Sequence, residues 1–290
     1  QARRVDVGPN DEIVVAGYFR SSIDFGFGSL QSSGDFDAYA AVFDGKGVPQ
    51  WAKRFGDGDD QRIYGIAFDS KGDLAMTGRH FGSIDLGGGN ITSNGGRDVF
   101  VAKLSGAGAH MWSKGYGGSS DQLATDLAVD VNDNIAVIGW AAGDVDFGGG
   151  ALVSAGQQDV FVAKFDTNGQ HIFSRLFGDA DNQEGRAVAF DSVGRIVVTG
   201  YVDGTINFGG VNHVASSGQA DGFFAKLTPN GDFLYSTIFG GGGTEIGYDI
   251  TVNSSNDSIV VGYHSSQVDF GGGVLNSNGN ADAFVAMFAE

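Results

Sequence analysis

Cysteine is missing from all 290 residues, so no disulfide staples this chain and no thiol carries chemistry. A chain without thiols suits an exported bacterial protein, and an extracellular, cell-surface or periplasmic setting is the expectation. Basic side chains are scarce: 17 Lys and Arg stand against 35 Asp and Glu, a net charge of −18. Such a surface repels nucleic acid and anionic membrane, and it suits cations, basic partners or plain solubility in salt. No apolar run approaches the roughly 18 residues of a membrane span, so membrane insertion is not expected. No initiator Met or signal peptide is present at Gln1, and the expectation is a processed chain or a piece of a longer one. A sustained helical period is also lacking, as are P-loop, G-x-S-x-G and HExxH patterns.

What the chain has is repetition. The phrase DVFVAKFDTNG from Asp159 is nearly DVFVAKLSGAG from Asp98, and related phrases open at Asp37, Asp221 and Asp282. The spacings are 61, 61, 62 and 61 residues, a period that signals stacked supersecondary units. Units fall at 1–60, 61–121, 122–182, 183–244 and 245–290, within one domain over 1–290. Fifty Gly recur at fixed places in each unit, which makes them turn residues rather than a low-complexity tract.

Each unit reads as four antiparallel strands of about seven residues. Between the first two strands stand GPND (8–11), DSKG, DVND, DSVG and NSSN (253–256), each with Gly, Asp or Asn in fourth place. Those residue types tolerate the left-handed backbone that a bulged hairpin turn requires. DGKG, SGAG, DTNG and TPNG close the turn between third and fourth strands. The other two connections are a loop of about 20 residues and acidic turns such as GDGDDQ (56–61) and GDADNQ (178–183). Alternate turns of an up-and-down sheet share an end, so one face gathers the long loops and most spare carboxylates.

A four-stranded sheet repeated radially predicts an all-β propeller of five blades, about 61 residues each, the last without its outer strand. FGGGGTEIGYDITVNSSNDSIVVGY (239–263) and YGGSSDQLATDLAVDVNDNIAVIGW (116–140) carry a family resemblance. The chain resembles the bacterial β-propeller repeat family labelled SBBP and, more distantly, NHL-like propellers. The resemblance implies secreted or surface-associated modules with seven blades, where five copies are visible here; it brings no catalytic motif.

Candidate site residues follow from position. Tyr18, Arg79, Trp140, Tyr201 and Tyr263 end the second strands where the long-loop face begins. Aromatic faces there suit sugar rings, and the competing reading is that they fill the wedge between blades. Asp57, Asp59, Asp179 and Asp181 are the candidate metal ligands, with Ca²⁺ the cation that oxygen-rich loops favour. No other cofactor is expected. Ser32, Ser93, Ser154, Ser216 and Ser277, each with Gly two residues on, and the Asp opening each third strand read as loop scaffold. Asp24, Asp85, Asp146 and Asp269 sit in short apolar anchors that tuck the long loop onto the sheet. The functional expectation is a non-catalytic binding or structural module, monomeric or part of a longer chain, with a glycan or protein ligand on the long-loop face. The alternatives are an extracellular spacer repeat, and a glycoside hydrolase using carboxylates near the axis, Asp126 and Asp249.

Overall fold

A computed structural model describes residues 1–216 and 219–290; Gly218 of the fourth loop's Ser-x-Gly lies outside the described residues. Among those residues the chain is all β, without a helix. The first strands are Ala2–Val7, Gln61–Phe68, Gln122–Val129, Gln183–Phe190 and Glu245–Val252. The second are Ile13–Phe19, Leu74–His80, Ile135–Ala141, Ile196–Val202 and Ser258–His264. The third are Asp37–Phe43, Asp98–Leu104, Asp159–Phe165, Asp221–Leu227 and Asp282–Phe288. Pro49–Phe55, His110–Tyr116, His171–Phe177 and Phe233–Phe239 are the fourth. They pair in chain order into four antiparallel sheets of four strands and a fifth sheet of three.

The turns behave as their residues dictate. Asp11, Gly72, Asp133, Gly194 and Asn256, the fourth turn positions, all hold φ between +62° and +81°. The long connection is not a plain loop, however. It folds into a two-stranded ribbon, such as Ser83–Asp85 with Asn90–Thr92, too short to announce itself by alternation. The aspartate of each anchor caps the ribbon's turn: Asp85 Oδ1 accepts the amides of Gly87 at 2.7 Å and Gly89 at 3.0 Å, and Asp146 and Asp269 repeat this. Ile84 and Leu86 beside it are buried against the sheets.

Sheets stack face to face in sequence order. The third strands of the first four sheets are buried on both sides, which is why DVFVAKF reads as a nearly continuous apolar run. Phe161 and Ala163 point back to the second sheet, while Val160 and Val162 point forward to the fourth. The two ends of the stack are bare. Val5 is 65% exposed where its equivalent Ile66 is 5%, and Val285 is 73% exposed where Val162 is 0%. First strands of successive sheets touch one another, and Arg4 of the first reaches Asp126 of the third and Asp249 of the fifth. The first strands therefore converge on a common axis.

Candidate functional site

The axial site is built by a backbone irregularity that occurs five times. Each first strand carries a β-bulge, at Ala2/Arg4, Ile63/Gly65, Ala124/Asp126, Gly185/Ala187 and Gly247/Asp249. Opposite stands a glycine of the second strand. A Cβ on Gly78 would lie 1.9 Å from the Arg62 carbonyl oxygen, and one on Gly139 1.9 Å from that of Leu123. The bulged strand needs that close approach, so the second strand must have Gly there. The residues left without a partner are Arg3, Tyr64, Thr125, Arg186 and Tyr248, and a bulge re-aims the side chain it frees. All five line one cavity of about 240 Å³, together with Arg4 and Leu123. Tyr64, Thr125, Arg186 and Tyr248 are each the fourth of eight residues in their strands, so the cavity lies midway along the first strands, on the side of the acidic turns that lead into them.

The cavity's charge is unlike that of the protein. Arg3 lies 5.0 Å over the Tyr64 ring, and among the described residues no carboxylate is within ion-pair distance of it. Arg186 reaches Glu184 at 2.7 Å and sits between the rings of Tyr201, 5.5 Å away, and Tyr248, 5.7 Å away. Arg4 is held by Asp126 at 3.1 Å and Asp249 at 3.4 Å. Burial pushes the Asp126 carboxyl up to about 7, against the pull of Arg4 and with help from the Asp249 charge. Three guanidiniums and two tyrosines thus meet in a chain of net charge −18. Such a floor suits an anionic group and a flat ring.

The five second-strand positions form a collar one layer above. Tyr18 lies 6.1 Å from Tyr64 with the Arg62 guanidinium 4.5 Å over its ring. Arg79 bonds Asp60 at 2.9 Å, and Asp60 also grips Arg62. Tyr263 is 5.8 Å from Tyr248, and burial raises the Tyr201 and Tyr263 hydroxyl pKa values. Tyr18 and Trp140 are buried, whereas Tyr201 and Tyr263 remain half-buried beside the cavity. The structure thus sets Tyr201, Tyr263 and Tyr18 against the cavity residues Arg186, Tyr248 and Tyr64, holds Arg79 on Asp60, and pairs Trp140 with Leu123.

The acidic turns are occupied by their own backbone. Asp57 accepts the Asp59 amide at 2.9 Å, the Gln61 side-chain amide at 2.7 Å and the Ser83 amide at 2.8 Å. Asp179 repeats this with Asp181, Gln183 and Thr205. Those donors hold the Asp179 carboxyl below its ordinary range in spite of the burial that would raise it. Asp59 and Asp181 stay exposed at the turn's rim. Among the described residues no group of three or more His, Asp or Glu is placed to hold a metal ion.

Sequence reasoning missed two features here. Gln61, Gln122 and Gln183, fully buried, latch the acidic turns to the long loops: Gln122 Nε2 donates to the Ala142 carbonyl at 2.9 Å. Their recurrence at the unit period was a usable signal. The bulge residues were also missed, and Gly17, Gly78, Gly139, Gly200 and Gly262 opposite them were the mark to follow. The scaffold residues fall where their chemistry puts them: Asp98, Asp159 and Asp282 each accept the amide four residues earlier, at 2.6 to 2.8 Å.

No known protein family matches the chain. The regulatory protein FlaEY of Caulobacter vibrioides is 30% identical over 175 residues, 58% of this chain. The match spans 17% of that longer protein. Among solved structures, a protein of unknown function from Bacteroides caccae aligns over 91% of this chain and 73% of its own, at 9% identity and TM-score 0.45. The Pan2 WD40 domain of Neurospora crassa aligns over 92% and 74%, at 13% identity and TM-score 0.40. Sqt1 of Chaetomium thermophilum aligns over 96% and 83%, at 10% identity and TM-score 0.36. At these scores the likenesses say nothing of function.

Proposed function

We propose that the protein is a non-catalytic, exported binding module, a five-bladed β-propeller arc that takes its ligand at the long-loop end of the axis. The observation that carries this is the identity of the five bulge residues. Turns and strands repeat from unit to unit, yet the position that all five units turn toward one cavity reads Arg, Tyr, Thr, Arg, Tyr. Symmetry is broken where the repeats meet, as a single asymmetric ligand requires. Arg3 and Arg186 favour a carboxylate or sulfate, and Tyr64 and Tyr248 favour the face of a sugar ring. An acidic glycan is the ligand class that meets both demands; an acidic protein segment is the competing one.

Binding fits the site better than hydrolysis. A glycosidase would need one carboxyl free to protonate the leaving oxygen and another free to attack or activate water. Here Arg4 lies between Asp126 and Asp249 and engages both. The spacer reading draws on the FlaEY match, where a stretch of this kind forms 17% of a longer chain. A glycan array read with the wild type and with Arg3→Ala and Tyr248→Ala separates these readings. Both side chains are exposed, so melting should not change, while binding to acidic glycans should weaken at least tenfold. Retention of acidic protein over every glycan would select the protein ligand. Array binding that ignores both substitutions, or an inert array with no protein captured, would leave the spacer.

A further inference from the structure

The five bulge residues read Arg, Tyr, Thr, Arg, Tyr, which is one pair written twice with Thr125 between the copies. In each copy two neighbouring units cooperate. The first unit gives Arg3 at its bulge and Tyr18 near the end of its second strand, and the second unit gives Tyr64. The fourth unit gives Arg186 and Tyr201 in the same places, and the fifth gives Tyr248. The geometry repeats with the residues. Arg3 lies 5.0 Å over the Tyr64 ring and Arg186 lies 5.7 Å over the Tyr248 ring, so each guanidinium stacks on the tyrosine of the next unit. The cavity holds two half-sites of one design, each offering a flat ring beside a planar donor.

The halves differ in charge because of the residue two places before each arginine. In the fourth unit it is Glu184, whose carboxylate bonds Arg186 at 2.7 Å. Burial and then the Glu184 charge raise the Tyr201 hydroxyl pKa, so the same carboxylate also bears on that ring's polar end. In the first unit the place belongs to Gln1, an uncharged side chain whose oxygen accepts the Tyr18 hydroxyl. Arg4, the third guanidinium of the cavity, is engaged by Asp126 and Asp249. One half therefore keeps the positive charge of Arg3, while the other presents a guanidinium and a carboxylate side by side. The first suits a carboxylate or sulfate. The second offers donors and acceptors together, which the hydroxyls of a neutral sugar satisfy.

We propose, on the footing that the axial cavity is the ligand site, that it takes two adjoining rings of one glycan chain, an acidic ring on Arg3 and Tyr64 and a neutral ring on Arg186 and Tyr248. The ligand is then a glycan with an acid on alternate rings. A chain with an acid on every ring would lay its second carboxylate against Glu184, and a repulsive element of that kind sets specificity as much as the attractive ones do.

The test compares two tetrasaccharides by titration calorimetry on the full 290-residue chain at one pH and ionic strength. One is hyaluronan, with uronic acid on every second ring; the other is oligogalacturonate, with uronic acid on every ring. The wild type should bind the alternating chain about tenfold more tightly. Glu184→Gln writes the first half's residue type into the second, and it should tighten the all-acid chain about tenfold while moving the alternating one by no more than about twofold. Gln1→Glu does the converse on an exposed side chain and should weaken both chains about tenfold, a reading independent of how Glu184→Gln folds. Equal affinity for the two chains, or a ratio that Glu184→Gln leaves unchanged, overturns the alternation and leaves the cavity as the ligand site. Binding of neither chain, by the wild type or by either variant, overturns the proposal together with the glycan reading of the cavity.

Discussion

The second, third and fourth units and the two end units are written in nearly the same words but live in different surroundings. Val162 lies in the third unit between two sheets; Val285, at the same place in the fifth, faces outward. Burying a valine side chain is worth about 1.5–3 kcal/mol, so the bare faces leave several such contributions unrealised at each end. A repeat stack is held by what each unit does for its neighbours, and end units hold on one side only. The contrast is a built-in experiment, because one substitution can be placed in both surroundings.

Val162→Asp against Val285→Asp should give the largest difference. In the third unit the carboxylate would be sealed between sheets without a partner, and more than about 4 kcal/mol of destabilisation is expected, enough to prevent folding. In the fifth unit the same change should fall within about 0.5 kcal/mol. Chemical denaturation of the two variants reads the difference directly. Similar losses would mean that the fifth sheet's outer face is covered in solution.

A second contrast concerns buried charge. Lys103 and Lys164 bond Asp69 and Asp130 at 2.6 and 3.0 Å, nearly without solvent, and Lys226 reaches Asp191 at 3.4 Å. Both end units have dropped the pair: Gly8 with Val42 stands in the first, Asn253 with Met287 in the fifth. Lys103→Met alone should cost about 3–5 kcal/mol, since it strands the Asp69 carboxylate. Adding Asp69→Asn, which copies the fifth unit, should recover most of that loss, because an amide keeps the turn's acceptor without a buried charge. A double variant no better than the single one would show that the lysine, not charge balance, is what the interior units need.

How much of this was legible in sequence divides along the same line. The strands and tight turns were readable, because Gly72 or Asp133 states a local backbone demand that no distant residue alters. The ribbons were not, since Ser83–Asp85 is three residues long and its stability comes from Ile84 and Leu86 packing elsewhere. Tyr18, Arg79, Trp140, Tyr201 and Tyr263 do stand near the ends of the second strands, but the sequence could not tell that Trp140 is buried while Tyr201 stays half-buried beside Arg186. The bulge residues Arg3, Tyr64, Thr125, Arg186 and Tyr248 share no side-chain type, so repetition, which exposed the scaffold, concealed them.

The smallest effect comes from a position where the second unit and the first differ by one ring. His80 closes the second strand of the second unit, fully buried; Phe19 holds that place in the first unit. Burial lowers the His80 pKa to about 4, partly offset by the Gly82 backbone and the Asp57 charge. An unfolded histidine titrates near 6.5, so its neutral form adds nothing against folding above that pH. As pH falls from about 6.5 toward 4 the unfolded chain takes up a proton that the folded chain refuses, and stability is lost at up to about 1.4 kcal/mol per pH unit. The lowered carboxyls of Asp69 and Asp191 add their own loss at the acid end of the range, below the carboxylate's ordinary pKa. The two sources separate in melts at pH 7.5, 6 and 5. His80→Phe should match the wild type within about 1 kcal/mol at pH 7.5 and, measured against it, lose less stability between pH 6.5 and 5, where Asp69 and Asp191 are still ionised and the raised Asp126 carboxyl takes up its proton alike in both proteins. Parallel curves would mean that the second sheet opens enough for the imidazole to reach water, and that the interior of the stack is less closed than its packing indicates.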